Sequence, residues 1–167
     1  MKLFGFGKSK EERTREAEAK RLAEEANADA LKMGREAGAA MMAAVDNFMT
    51  FRARPVGEGI YGVFVKRVSE VMNEPENSPI DLVRIEAKIF VEQLGKFNDE
   101  MKEECHNQTN EWLDLADTMG IRDSIELYIT NKISDIFFEL FQRSVDHAAE
   151  AIQGYQALGY KAILTQD

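Results

Sequence analysis

The sequence predicts an all-α protein: an elongated bundle of three long helices and one short helix, packed in a coiled-coil-like manner. Two observations carry this. Ile80, Val83, Ala87, Phe90, Leu94, Phe97 and Met101 recur at alternating steps of three and four. That spacing puts all seven on one narrow helical face, which a neighbouring helix must cover. The chain also holds only three prolines in 167 residues and is rich in Ala, Glu, Lys, Leu, Met and Gln, the residues that lose least on entering a helix.

Residues 1–8 read as a flexible basic and aromatic tail, and residues 9–167 as a single helical-bundle domain. The first helix is expected to start at Ser9, which stands three residues before Glu12 in capping-box spacing. Its first half is dense in alternating charge, with Glu11–Arg15 and Glu16–Lys20 as favourable pairs four apart. Charge then fades, and Ala23, Ala30, Ala37, Ala44 and Phe51 fall seven apart as a seam of small residues. Pro55 is expected to end this helix, because proline lacks an N–H and its predecessor disfavours helical geometry. Gly57 and Gly59 then read as a short turn.

Ile60, Phe64, Val68, Val71 and Met72 keep helical spacing and predict the short helix. The β-branched residues of Ile60–Val65 also admit a strand, but a lone strand would lack a pairing partner. Asn73–Pro79 reads as a loop in which Ser78 caps the next helix and Pro79 occupies its first position. The third helix carries the heptad stripe. The stripe fails at Glu104 and Gln108 and resumes at Trp112, Leu115 and Met119. Either the helix breaks near Asn107–Asn110 or it continues with a shifted seam; with no Gly or Pro between, it is expected to continue to Met119, with Gly120 as its stop. A fourth helix is signalled by Asp123 and Glu126. Its broad apolar face comprises Ile125, Ile129, Ile133, Phe137, Leu140, Phe141, Val145, Ala148, Ile152 and Tyr155. Phe138 lies off the centre of that face, where it would cover a second neighbour.

A helix of about forty residues spans about 60 Å, so one short helix cannot cover the ends of all three long ones. A second subunit is the natural cover, and a homo-oligomer is expected. The net charge of −9 argues against nucleic-acid binding, which needs a positive surface. The single cysteine, Cys105, excludes an intramolecular disulfide and favours a reducing compartment. No signal peptide is visible, and the longest wholly apolar run, Ala37–Val45, is far short of the ~20 residues of a membrane span. The expected location is therefore cytoplasmic, with any membrane contact peripheral.

Chemistry-bearing patterns are sparse. Glu103 and His106 form one Glu-x-x-His pair, half of the set that helical di-metal carboxylate proteins use. His147 has Ser144 where a second glutamate would stand. Cys105 and His106 are sequence neighbours and so point about 100° apart on a helix, which keeps them from acting as nucleophile and base. No Gly-rich loop offers an oxyanion hole or a phosphate cradle. Asn98–Glu126 holds nine acids against Lys102 and Arg122, a solvated face or a docking surface for a basic partner. The clearest local candidate is the N-terminus, where Lys2, Lys8 and Lys10 interleave with Leu3, Phe4 and Phe6. That composition suits an acidic groove on a partner or an anionic membrane surface. The resulting expectation is a non-enzymatic, cofactor-free structural or interaction protein that self-associates and docks onto a larger assembly. The alternatives are a peripheral membrane protein that uses residues 1–10, and a metal-binding bundle centred on Glu103 and His106.

Overall fold

The computed structural model describes residues 10–73 and 79–164. All its regular structure is helical: α1 (Lys10–Phe48), a π-helical turn (Met49–Ala53), α2 (Arg54–Met72), α3 (Pro79–Gln108), α4 (Asn110–Thr118) and α5 (Arg122–Leu164). Among the described residues there is no strand, so 60–72 is helix. Ser9 and Ser78, the two expected capping residues, lie outside the described residues. The chain divides into two compact units, Met1–Ala40 and Met41–Asp167.

In the first unit, the described part of α1 is exposed almost throughout, and the pairs Lys20–Glu24 and Arg21–Glu25 run along its surface. Intrinsic propensity and pairs of this kind hold such a helix together, each pair contributing a few tenths of a kcal/mol.

The second unit contains the core. Helices α2, α3 and α5 pack against one another, and α4 packs on α3 and α5. Helix direction follows from the cross-contacts. Asp46 meets Tyr128, Arg54 meets Glu139 and Glu58 meets Arg143, so α2 and the end of α1 run parallel to α5. Arg52 meets Glu104, and Phe64 meets Phe90, so α3 runs antiparallel to them. The core is filled from α3 by Val83, Phe90, Leu94, Phe97 and Met101, with Ile80 and Ala87 half-buried at the edge. The heptad stripe is therefore the face that packs.

Pro55 does not end the first helix. A proline in a regular helix collides with the carbonyl four residues back. Here the turn widens instead: the Arg54 N–H bonds to the carbonyl of Met49, five residues back, the signature of a π turn. Pro55 then lies in the first turn of α2, where a missing N–H costs little. Gly57 and Gly59 are helical rather than a turn. Gly57 is buried, and a Cβ on it would lie 2.6 Å from Leu140 Cδ1 and 3.4 Å from Phe97 Cζ. It is a glycine because α3 and α5 both close on α2 at that level.

The small-residue seam also differs. Ala23 and Ala30 are exposed, Ala37 and Ala44 are half-buried, and Phe51 is 78% exposed. The buried residues there are Gly38 and the larger Met41, Val45, Phe48 and Met49. These larger side chains remove more apolar surface from water than alanine does, and they hold the end of the helix within the second unit.

The third helix is not continuous to Gly120. It breaks at Thr109, whose φ of −106° and ψ of 10° leave the helical region. The Thr109 hydroxyl donates to the Cys105 carbonyl at 2.7 Å, and such back-bonding bends helices. Burial passes from Phe97 through Met101, Cys105 and Thr109 to Leu113 in steps of four, and then by a step of three to Ala116. Each step of four advances the seam by about 40° around the helix, and the break at Thr109 lies within that rotating stretch. The expected continuation, Trp112, Leu115 and Met119, is not the core: Trp112 and Leu115 are exposed and Met119 is half-buried.

Gly120 is the stop, with φ +68°. Its N–H bonds to the Asp117 carbonyl, and the Ile121 N–H bonds to that of Ala116, the paired bonds of a Schellman ending. Helix α5 begins at Arg122, so Asp123 lies inside its first turn, where a carboxylate favours the positive helix end.

Candidate interaction surface

Helix α5 is 43 residues long, about 65 Å. Only part of its broad apolar face is used internally. Ile125, Ile129, Ile133, Ile136, Leu140 and Ser144 are buried, and their spacing of four, four, three, four and four traces one line of contact with α2 and α3. Ile136 and Ser144 belong to this line although the sequence reading placed neither there.

Within residues 127–156 the charged residues of α5 lie to one side of that line. Between Leu127 and Gln156 they are Lys132, Asp135, Glu139, Arg143, Asp146 and Glu150. At about 100° per residue all six fall within a sector of about 80°. Most of them have partners. Lys132 Nζ lies 3.1 Å from Asp46 and over the Tyr128 ring. Glu139 accepts from Arg54 at 3.0 Å. Arg143 donates to Glu58 at 2.6 Å and stacks over the Tyr61 ring at 4.2 Å. The hydrogen bond to Glu58 leads the effects that hold the Arg143 guanidinium above its ordinary pKa. His147, on the line of contact itself, meets the Phe64 ring in a T-shaped contact at 6.1 Å. This flank stitches α5 to the end of α1 and to α2.

On the other side of the line is a face about 120° wide with no charged residue between Leu127 and Gln156. Leu127, Phe138, Phe141, Val145 and Tyr155 on it are exposed, and Ile152 is half-buried. Phe138 is 64% exposed. The Phe137 ring stacks parallel to that of Phe141 at 6.4 Å and meets Phe138 edge-on at 5.4 Å, so the three rings form one aromatic ridge. A soluble surface rarely carries an apolar strip this long without a partner. Summing charge position around the helix, and not only apolar position, would have separated this face from the core face.

A second apolar feature is an open groove of about 450 Å³ between α2 and α3, walled by Val56, Gly59, Ile60 and Val63 and rimmed by Gln93, Lys96 and Glu100. It holds no convergent set of polar groups.

The other sequence candidates separate. Lys2, Leu3, Phe4, Phe6 and Lys8 lie outside the described residues, as does the side chain of Lys10, which opens α1. His106 donates from Nδ1 to the Lys102 carbonyl at 2.6 Å, and Glu103 is exposed. Among the described residues no group of three or more His, Cys, Asp or Glu is placed to hold a metal ion. Cys105 is wholly buried, and burial, with a smaller contribution from Glu104, pushes its thiol up to about 11. Of the acids in Asn98–Glu126, Glu104 is engaged by Arg52 at 2.7 Å and Glu126 by Arg122 at 2.8 Å. Among the described residues no helix is long and apolar enough to cross a membrane. Comparison with protein-family models, curated proteins and solved structures gives no match to this chain.

Proposed function

We propose that this protein is a non-enzymatic interaction module, a helical bundle that self-associates and serves as a building element of a larger assembly. The observation that carries the reading is the charge-free apolar face of α5. Two copies that each carry a net charge of −9 repel unless they meet through surfaces without like charge. The α5 face is such a surface. A basic or acidic partner would find no counter-charge on it, whereas a second copy presents the same apolar strip. The charge-free face runs about 45 Å along a helix about 10 Å wide, with Thr130, Asn131 and Ser134 at its start and an apolar stretch of about 27 Å from Phe137 to Tyr155. Two copies together cover about 900 Å² in projection, close to the ~1,000 Å² of a specific interface. The expected product is a reversible dimer. In this reading the basic, aromatic segment Met1–Lys10 supplies the link to the rest of the assembly.

The test is light scattering coupled to gel filtration over a range of concentrations. The wild-type chain should pass from monomer to dimer as concentration rises. Phe138→Glu should shift it to monomer with unchanged helical circular dichroism, because the side chain is exposed and leaves the core alone. A wild-type chain that stays monomeric at millimolar concentration would refute the reading.

A further inference from the structure

We infer that two copies pair through α5 in antiparallel orientation, about a two-fold axis level with Arg143; this orientation rests on the self-association proposed above. The argument is one of size. On the exposed face, Asn131, Phe138, Val145 and Ile152 occupy one row, and Ser134, Phe141, Ala148 and Tyr155 the other, each row with a seven-residue repeat. Packed cores set large side chains opposite small ones, so that layers interdigitate at uniform density.

Antiparallel pairing centred at residue 143 sets a large side chain against a smaller one in the three inner layers, and its outermost layer sets Asn131 against the partner's Tyr155. Phe138 faces the partner's Ala148, Ile152 faces the partner's Ser134, and Phe141 faces the partner's Val145. Shifting the centre by half a heptad either way breaks the match. In one direction Phe138 meets Phe141 at both symmetry-related layers. In the other, Phe138 meets Tyr155 and Phe141 meets Ile152. Parallel pairing in register sets each residue against itself, which crowds two phenylalanine layers and leaves a void between paired Ala148 side chains. Overpacking and voids both destabilise. Antiparallel pairing also opposes the two helix dipoles. The charged flank of each α5 stays turned to its own bundle, held there by Asp46, Arg54 and Glu58, and so remains out of the contact.

Cysteine cross-linking distinguishes the orientations in the full-length chain. Cys105 can stay, since it is wholly buried. Ser134→Cys and Ile152→Cys chains, one carrying a size tag, are treated with a short thiol cross-linker separately and as an equimolar mixture. Antiparallel pairing at residue 143 puts position 134 of one copy beside position 152 of the other. Like positions are then about 27 Å apart along the axis. The mixed dimer should form at least tenfold faster than either self-linked dimer. A spin label at Ser134→Cys alone should report about 29 Å to its counterpart, given an interaxial spacing of about 10 Å. Efficient self-linking at both positions in a chain that is dimeric by light scattering would overturn the antiparallel orientation and leave self-association standing. A dimer that cross-links in no combination would overturn the use of this face. A monomer would overturn both readings.

Discussion

Gly57→Ala adds one methyl group at a place where α3 and α5 both close on α2. The new carbon would lie 2.6 Å from Leu140 Cδ1, 3.4 Å from Phe97 Cζ and 3.6 Å from Ile136 Cγ2. Leu140 and Phe97 are each only 1% exposed, so neither can swing aside into solvent. Carbon atoms in contact prefer ~3.5–4.0 Å, and α5 must back away from α2 by most of an ångström. Overpacking of this kind costs about 1–3 kcal/mol. Alanine in a helix gains about 0.8–1.0 kcal/mol over glycine. The net expectation is a loss of up to about 2 kcal/mol. Gly59 and Gly62 lie on the same helix with nothing within 4 Å of an added Cβ, so alanine there should stabilise by about 0.5–1 kcal/mol. Urea unfolding followed by circular dichroism, at one fixed protein concentration, measures all three. The prediction is a difference of sign within a single helix. If Gly57→Ala matched or exceeded the wild-type midpoint, or if the three variants moved together, α2 would not be packed as described.

Leu94→Ala and Phe97→Ala should each cost about 2–5 kcal/mol, because both side chains sit in the centre of the core at no more than 1% exposure; the same urea titration reads the loss. Cys105 should resist thiol reagents in the native protein at pH 8 and react at once in denaturant, as a colorimetric thiol assay would show. The folded thiol holds its proton up to about 11 against an ordinary value of 9.0. Stability should therefore fall as pH rises from about 9 towards 11, where only the unfolded chain gains by ionising, and Cys105→Ala should flatten that slope. Deleting Met1–Lys8 should leave helical circular dichroism and melting temperature nearly unchanged while weakening partner capture, measured by pull-down from the native host against the full chain.

The α3 stripe was legible because large apolar side chains at strict spacing have only one way to be buried. The alanine seam of α1 repeated only every seventh residue and lacked the driving force of large side chains, and Met41, Val45 and Phe48 displaced it. Pro55 illustrates a different failure. The rule that proline ends a helix is local, and a π turn satisfies it without a break, at a cost that packing of α2 against α3 and α5 offsets. The bend at Thr109 depends on one hydroxyl bonding to the Cys105 carbonyl, which composition does not announce. The exposed face of α5 was half legible: Phe138 stood off the core centre, pointing to a second neighbour. Assigning Val145 and Tyr155 to the outer face required knowing which side α2 and α3 occupy. For the segment Met1–Lys8 the sequence reading stands alone.

The parallel arrangement of α2 and α5 has a kinetic consequence. Arg54–Glu139 and Glu58–Arg143 join residues 85 positions apart, because two parallel helices can meet only after the chain has returned through α3 and α4. Phe64 and Phe90, which seal the antiparallel α2–α3 pair, are far closer in sequence and close a cheaper loop. The α2–α3 hairpin should therefore form early, with α5 docking onto it late. Breaking the Arg54–Glu139 contact should then speed unfolding and leave the folding rate almost untouched, whereas shortening Phe64 should slow folding. The last helix to arrive is also the one that carries the aromatic ridge. Before docking it exposes two apolar faces at once, so association that outruns docking would trap chains by the wrong face, and refolding yield should drop steeply with protein concentration.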